Sequence, residues 1–126
     1  MMADHMGAEV VAVNRYGVQD AAAFDAATVA LVARVWAEGH PGVLSYHFYR
    51  QAEGRAVVRY ADPAAWVGHH DLIMGWPEMA ALRSAASLEE VLLFGPVTAE
   101  MQAWIDRMGL GDRVRFMGDP LAGFTR

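Results

Sequence analysis

The chain predicts an α+β fold: a ferredoxin-like split βαβ sandwich on an antiparallel sheet. Three observations predict it. The elements run β-α-β-β-α-β with additions, an amphipathic helix separates the first two strands, and a hairpin leads straight into a second helix start. Of 126 residues, 55 % are hydrophobic, so a packed core is easily supplied. One domain over residues 9–126 is expected.

Glu9 to Val18 is β-rich, with Val10, Val11, Val13 and Tyr16. Gln19 and Asp20 open a helix. Phe24, Thr28, Leu31, Val32 and Val35 then recur on one helical face. Gly39, Pro41 and Gly42 end it. Val43 to Gln51 and Arg55 to Ala61 read as strands joined by a turn at Glu53-Gly54. Asp62-Pro63 supplies an N-cap acceptor and a proline at the first helical position, so a helix runs from there to about Met74. Gly75 and Pro77 break it before a short helix over Glu78 to Ala86. Leu88 to Val97 is a fourth strand. Thr98 caps a helix whose Met101, Trp104, Ile105 and Met108 share a face, and Val114 to Met117 is a last short strand.

Right-handed crossovers put both main helices on one sheet face. The other face should then be polar, yet the strands are apolar on both sides. The second strand carries Leu44, Tyr46 and Phe48 on one side, Val43 and Tyr49 on the other. The fourth carries Val91 and Leu93 against Leu92 and Phe94. A sheet with two apolar faces needs a second cover, and another copy of the chain is the simplest.

Composition excludes several partners. Net charge is −5 and no Lys/Arg run occurs, so neither nucleic acid nor an anionic membrane surface is expected. Absence of cysteine rules out a disulfide framework, a thiolate metal site and a cysteine nucleophile. No apolar run nears the ~18 residues that span a bilayer. Residues 1–8 lack the basic and apolar regions of a signal peptide and are expected to be a frayed tail. A cytoplasmic protein is expected.

Four segments carry a resemblance: Pro-Gly-Val-Leu-Ser-Tyr-His-Phe from Pro41, Arg-Tyr-Ala-Asp-Pro-Ala-Ala-Trp-Val-Gly-His-His from Arg59, Val-Leu-Leu-Phe-Gly-Pro-Val from Val91, and the closing Pro-Leu-Ala-Gly-Phe. In order and spacing the chain resembles the antibiotic biosynthesis monooxygenase domain family. The resemblance implies a homodimeric α+β barrel whose two sheets face each other, with a pocket between sheet and helices in each subunit. It implies oxidation of a quinol, phenol or related aromatic by O₂ without metal, flavin or nicotinamide. Val58 stands where the family often has a glutamate. Asn14 matches an asparagine of the haem-degrading branch, but His69 stands where that branch has a tryptophan, and matches the histidine of many other members.

Candidate catalytic residues are His69, Asn14 and His70. A neutral imidazole can take a phenolic proton, and an amide can donate to the anion that results. Adjacent helical positions lie about 100° apart, so the two histidines are not expected to share a face. The bland alternatives are a capped or solvated histidine, and an asparagine serving a bulge. Tyr46, His47, Trp66 and Ile73 are the candidate substrate-binding residues. Tyr46 reads more readily as core and Trp66 as core or interface, and His47 lies on the strand face opposite Tyr46. No metal site is expected, because consecutive His69, His70 and Asp71 diverge on a helix. The reading of a different class is a non-catalytic dimeric module that binds a small apolar ligand in the same pocket.

Overall fold

The computed structural model describes residues 8–126; the expected tail lies outside them except for Ala8. The elements are β1 (Val10–Val18), α1 (Ala21–Glu38), β2 (Val43–Arg50), β3 (Gly54–Tyr60), α2 (Pro63–Ile73), α3 (Pro77–Ala85), β4 (Ala86–Phe94), α4 (Ala99–Arg107) and β5 (Val114–Gly118). They form one sheet in the order β2-β3-β1-β4-β5. The first four strands are antiparallel, with β1 between β3 and β4, as the split βαβ pattern requires.

The sheet as a whole is mixed rather than antiparallel. β5 adds to the edge parallel to β4, because α4 carries the chain back to the end where β4 began. β4 also begins earlier than its sequence suggests. Ala86 already pairs with Val18, and the Ala85 carbonyl accepts the N–H groups of Gln19 and Asp20. α3 therefore passes into β4 without a loop. Gly95 ends the strand at φ 106°, a conformation that favours glycine.

Side chains fix the starts of α1, α2 and α4. The carboxylate of Asp20 accepts the Ala23 N–H at 3.0 Å, that of Asp62 accepts the Ala65 N–H at 2.8 Å, and the Thr98 hydroxyl accepts the Met101 N–H at 3.2 Å. α1 buries Phe24, Ala27, Thr28, Leu31 and Val35. Gly54 allows Phe24 to lie on the sheet, since a Cβ there would meet the ring at 2.6 Å.

Alternation decides the two sheet faces. On β3, Ala56, Val58 and Tyr60 are buried under the helices, while Arg55, Val57 and Arg59 face away. Across the outer face, cross-strand neighbours His47, Val57, Val13 and Leu92 form a row flanked by charged residues such as Arg15 and Arg59. Val57, Val13 and Leu92 are only half-buried, and Phe94 and Tyr49 on the same face are exposed. None of α1 to α4 covers it.

Candidate active site

A cavity of about 430 Å³ lies between the inner sheet face and helices α2, α3 and α4. Its volume lies within the range of small-molecule sites, roughly 300–1,000 Å³. The floor is the inner face of β1, β2 and β3, including Asn14, Tyr46 and Tyr60. The wall is α2. Trp66, His69, His70 and Ile73 stand at i, i+3, i+4 and i+7, one stripe of the helix, and all four line the cavity.

Both histidines therefore face the same space, contrary to the expectation from their adjacency. A stripe a little over 100° wide admits neighbouring positions at its two edges. Their ring centroids are 5.1 Å apart. His69 is 1 % exposed, with its ring edge-on to Tyr46 at 5.2 Å and tilted against Tyr60 at 5.7 Å. His70 sits between the rings of Trp66 at 4.3 Å and Trp104 at 5.0 Å. Trp104 is itself held by its Nε1–H, which donates to Asp71 at 3.0 Å.

Burial sets the charge state. It pushes His69 down to about 3, helped by the neighbouring His70 and His40. It pushes His70 down to about 4, against the opposing pull of the Trp66 carbonyl and of Asp71. The phenols of Tyr16, Tyr46 and Tyr60 are all raised by burial. At neutral pH these groups carry no charge. The neutral His70 ring has one nitrogen that donates and one that accepts. Nδ1 lies 2.7 Å from the Trp66 carbonyl oxygen, so it carries the proton and Nε2 is left as acceptor.

Two buried polar atoms of cavity-lining residues have no partner among the described residues: Asn14 Oδ1 and His69 Nδ1. The other end of the Asn14 amide is engaged, Nδ2 donating to the Tyr16 hydroxyl at 3.4 Å. A buried polar atom without a partner is costly and calls for a ligand or water to satisfy it.

Asn14, Tyr46, Trp66, His69, His70 and Ile73 are thus gathered around one cavity. His47 is not. It is exposed on the outer sheet face, stacked on Tyr49 at 6.4 Å, because strand alternation sends it away from its neighbours Tyr46 and Phe48. Sequence reasoning missed Tyr16, Tyr60 and Trp104 as lining residues. Tyr16 lies two positions beyond Asn14 and Tyr60 two beyond Val58, so strand parity could have found both. Among the described residues, no three His, Asp or Glu side chains cluster as metal ligands. No helix among them is long and apolar enough to cross a membrane.

No family model and no curated protein matches the chain. Solved structures do. MupZ from Pseudomonas fluorescens is 19 % identical with a TM-score of 0.74, over 94 % of this chain and 95 % of its own. SnoaB, a cofactor-independent oxygenase from Streptomyces nogalater, is 24 % identical with a TM-score of 0.56, over 73 % of this chain and 96 % of its own. A candidate antibiotic biosynthesis monooxygenase from Caulobacter crescentus is 22 % identical with a TM-score of 0.57, over 76 % and 96 %. The chain has the fold of the antibiotic biosynthesis monooxygenase proteins, the family its motifs resemble.

Proposed function

We propose that this protein is a cofactor-independent monooxygenase that oxidises an electron-rich aromatic, a phenol or quinol, with O₂. The observation that carries the reading is the aromatic-lined cavity, with neutral His69 and His70 on one side and the unpartnered atoms Asn14 Oδ1 and His69 Nδ1. The likeness to a cofactor-independent oxygenase fold supports it. We further propose a cytoplasmic homodimer in which a second copy covers the open sheet face. Its interface should bury on the order of 2,000 Å² or more, as obligate dimers do.

The reaction balances without another reductant. A phenol with a free ring C–H becomes a quinone: one atom of O₂ enters the ring carbon and the other leaves as water. The substrate supplies all the electrons and both hydrogens. The protein's task is to bind the ring, help remove the phenolic proton and stabilise the electron-rich anion that O₂ attacks. In this reading His69 Nδ1 accepts the proton, His70 Nε2 is the second acceptor, and Asn14 donates to the substrate oxyanion through the Nδ2–H that Tyr16 leaves free, while its Oδ1 accepts from a hydroxyl or water.

The proton affinity of His69 limits the substrate. An ordinary phenol near pKa 10 is about 7 units less acidic than an imidazolium at about 3, a gap of roughly 10 kcal/mol. Attraction between imidazolium and phenolate in a water-poor cavity offsets much of that. The remainder favours phenols acidified by a conjugated carbonyl.

Oxygen uptake on a panel of quinols and anthrones, in EDTA, tests the reading. His69→Ala is expected to lose about 10²-fold or more in rate, and Asn14→Ala to be impaired too. Full activity in both variants, or activity abolished by the chelator, overturns the assignment. Ligand binding with no oxygen uptake on any substrate would favour the non-catalytic module instead.

A further inference from the structure

Among the described residues, the only charged side chains that line the cavity are those of Arg83 and Arg113. The chain's 10 basic residues are all arginine, in a protein of net charge −5. Arg15, Arg34, Arg50, Arg55, Arg59 and Arg115 each pair with a carboxylate. Arg83 and Arg113 pair with none among the described residues, yet both line the cavity, and both are exposed. Arg83 stands on α3, where its Nη1 reaches the Met74 sulfur at 3.7 Å. Arg113 stands just before β5, and its carbonyl, which accepts the Val91 N–H, fixes its backbone to the edge of the sheet. No aspartate or glutamate lines the cavity.

We propose that the substrate is an aromatic with an oxyanion tail, a carboxylate or phosphate, held at the cavity mouth by Arg83 and Arg113 while its ring fills the interior. The proposal rests on the cavity being an aromatic site, and it adds the class of molecule and the direction in which it binds.

Two physical points carry it. An acidic protein that ties six of its arginines to carboxylates leaves the two guanidinium groups that line the cavity without one among the described residues. A guanidinium presents flat, paired donors that match a planar oxyanion. The depth of the cavity, in contrast, holds only neutral groups, and a charge placed there would lose its solvation without a counter-ion. The charged end therefore stays outward and the ring points toward Asn14 and His69. The same pair discriminates against neutral analogues, and the discrimination should weaken with salt.

Trp66 and Trp104 line the cavity and report on a quinone through fluorescence quenching. The probes are anthraquinone-2-carboxylate, its methyl ester, and the phosphate monoester of 2-(hydroxymethyl)anthraquinone. At low salt the carboxylate or the phosphate should bind about 10-fold or more tightly than the methyl ester, from charge-assisted hydrogen bonds. Whichever of the two binds tighter names the tail. In Arg83→Gln/Arg113→Gln the preference should vanish; both side chains are exposed, so the fold should persist. Arg107→Gln, an exposed arginine outside the cavity, should keep the preference. Equal binding of acids and ester, or a preference that survives in the double variant, overturns the proposal. Because these quinones are already oxidised, the result does not depend on turnover. Binding without preference removes only the tail; no quenching by any probe removes the aromatic site, and the tail with it.

Discussion

Acidification from pH 7 to pH 5 is expected to weaken the fold by on the order of 4 kcal/mol, chiefly through His69 and His70. Burial lowers them from the ordinary 6.5 to about 3 and about 4. Below 6.5 the unfolded chain binds protons that the folded chain refuses. Stability from these groups is therefore fully present above pH 6.5 and is lost as pH falls toward the folded values. At pH 5 each imidazole forfeits roughly 2 kcal/mol, since one pKa unit is about 1.4 kcal/mol. Asp25 and Glu78 are lowered by their arginine partners, but the stability they lend is lost only around and below their ordinary values of 3.8 and 4.5. The window from pH 7 to 5 thus isolates the histidines. Urea unfolding at the two pH values reads the effect, and His69→Gln should remove about half of it. Equal urea midpoints at both pH values would show that the histidines are not buried as described.

Val13→Glu is expected to weaken the proposed dimer by about 10³-fold or more, leaving a folded monomer. Val13 lies in the outer row between Val57 and Leu92, half-buried and under none of the helices α1 to α4. A carboxylate trapped there without a partner costs several kcal/mol, and a two-fold interface incurs it in both copies. Sedimentation should give a dimer for the natural protein and a monomer for the variant, at micromolar concentration. A natural protein that is a stable monomer, or a variant that still dimerises, would mean that the open face is not the interface.

The sequence revealed features that are local. The Asp62 and Thr98 caps, the helix opening at Asp20 and the alternation of β3 each rest on a few neighbouring residues. Their cause is local, and no distant partner is needed to read them. The hairpin turn, in contrast, lies at 51–53 and ends one residue earlier than expected, because Gly54 already pairs in β3. What the sequence concealed was set by distant partners. β4 starts at Ala86 because Val18 is there to pair with it, and β5 is parallel because of where α4 returns the chain. The candidate site divides the same way. Helical spacing placed Trp66, His70 and Ile73 on one side, and strand parity separated His47 from Tyr46. That His69 joins the same stripe depends on the width of the cavity. Nothing near Arg83 or Arg113 in sequence announces that both line it.

The central claim is that this cavity inserts one atom of O₂ into an aromatic carbon without a cofactor. Turnover of an anthrone under ¹⁸O₂, in metal-chelated buffer, tests it most directly by mass spectrometry of the quinone. One ¹⁸O per quinone is expected, with none taken from labelled water and no hydrogen peroxide released. A quinone formed by the protein with its new oxygen drawn from water, or no product above the protein-free control across the panel, would contradict it.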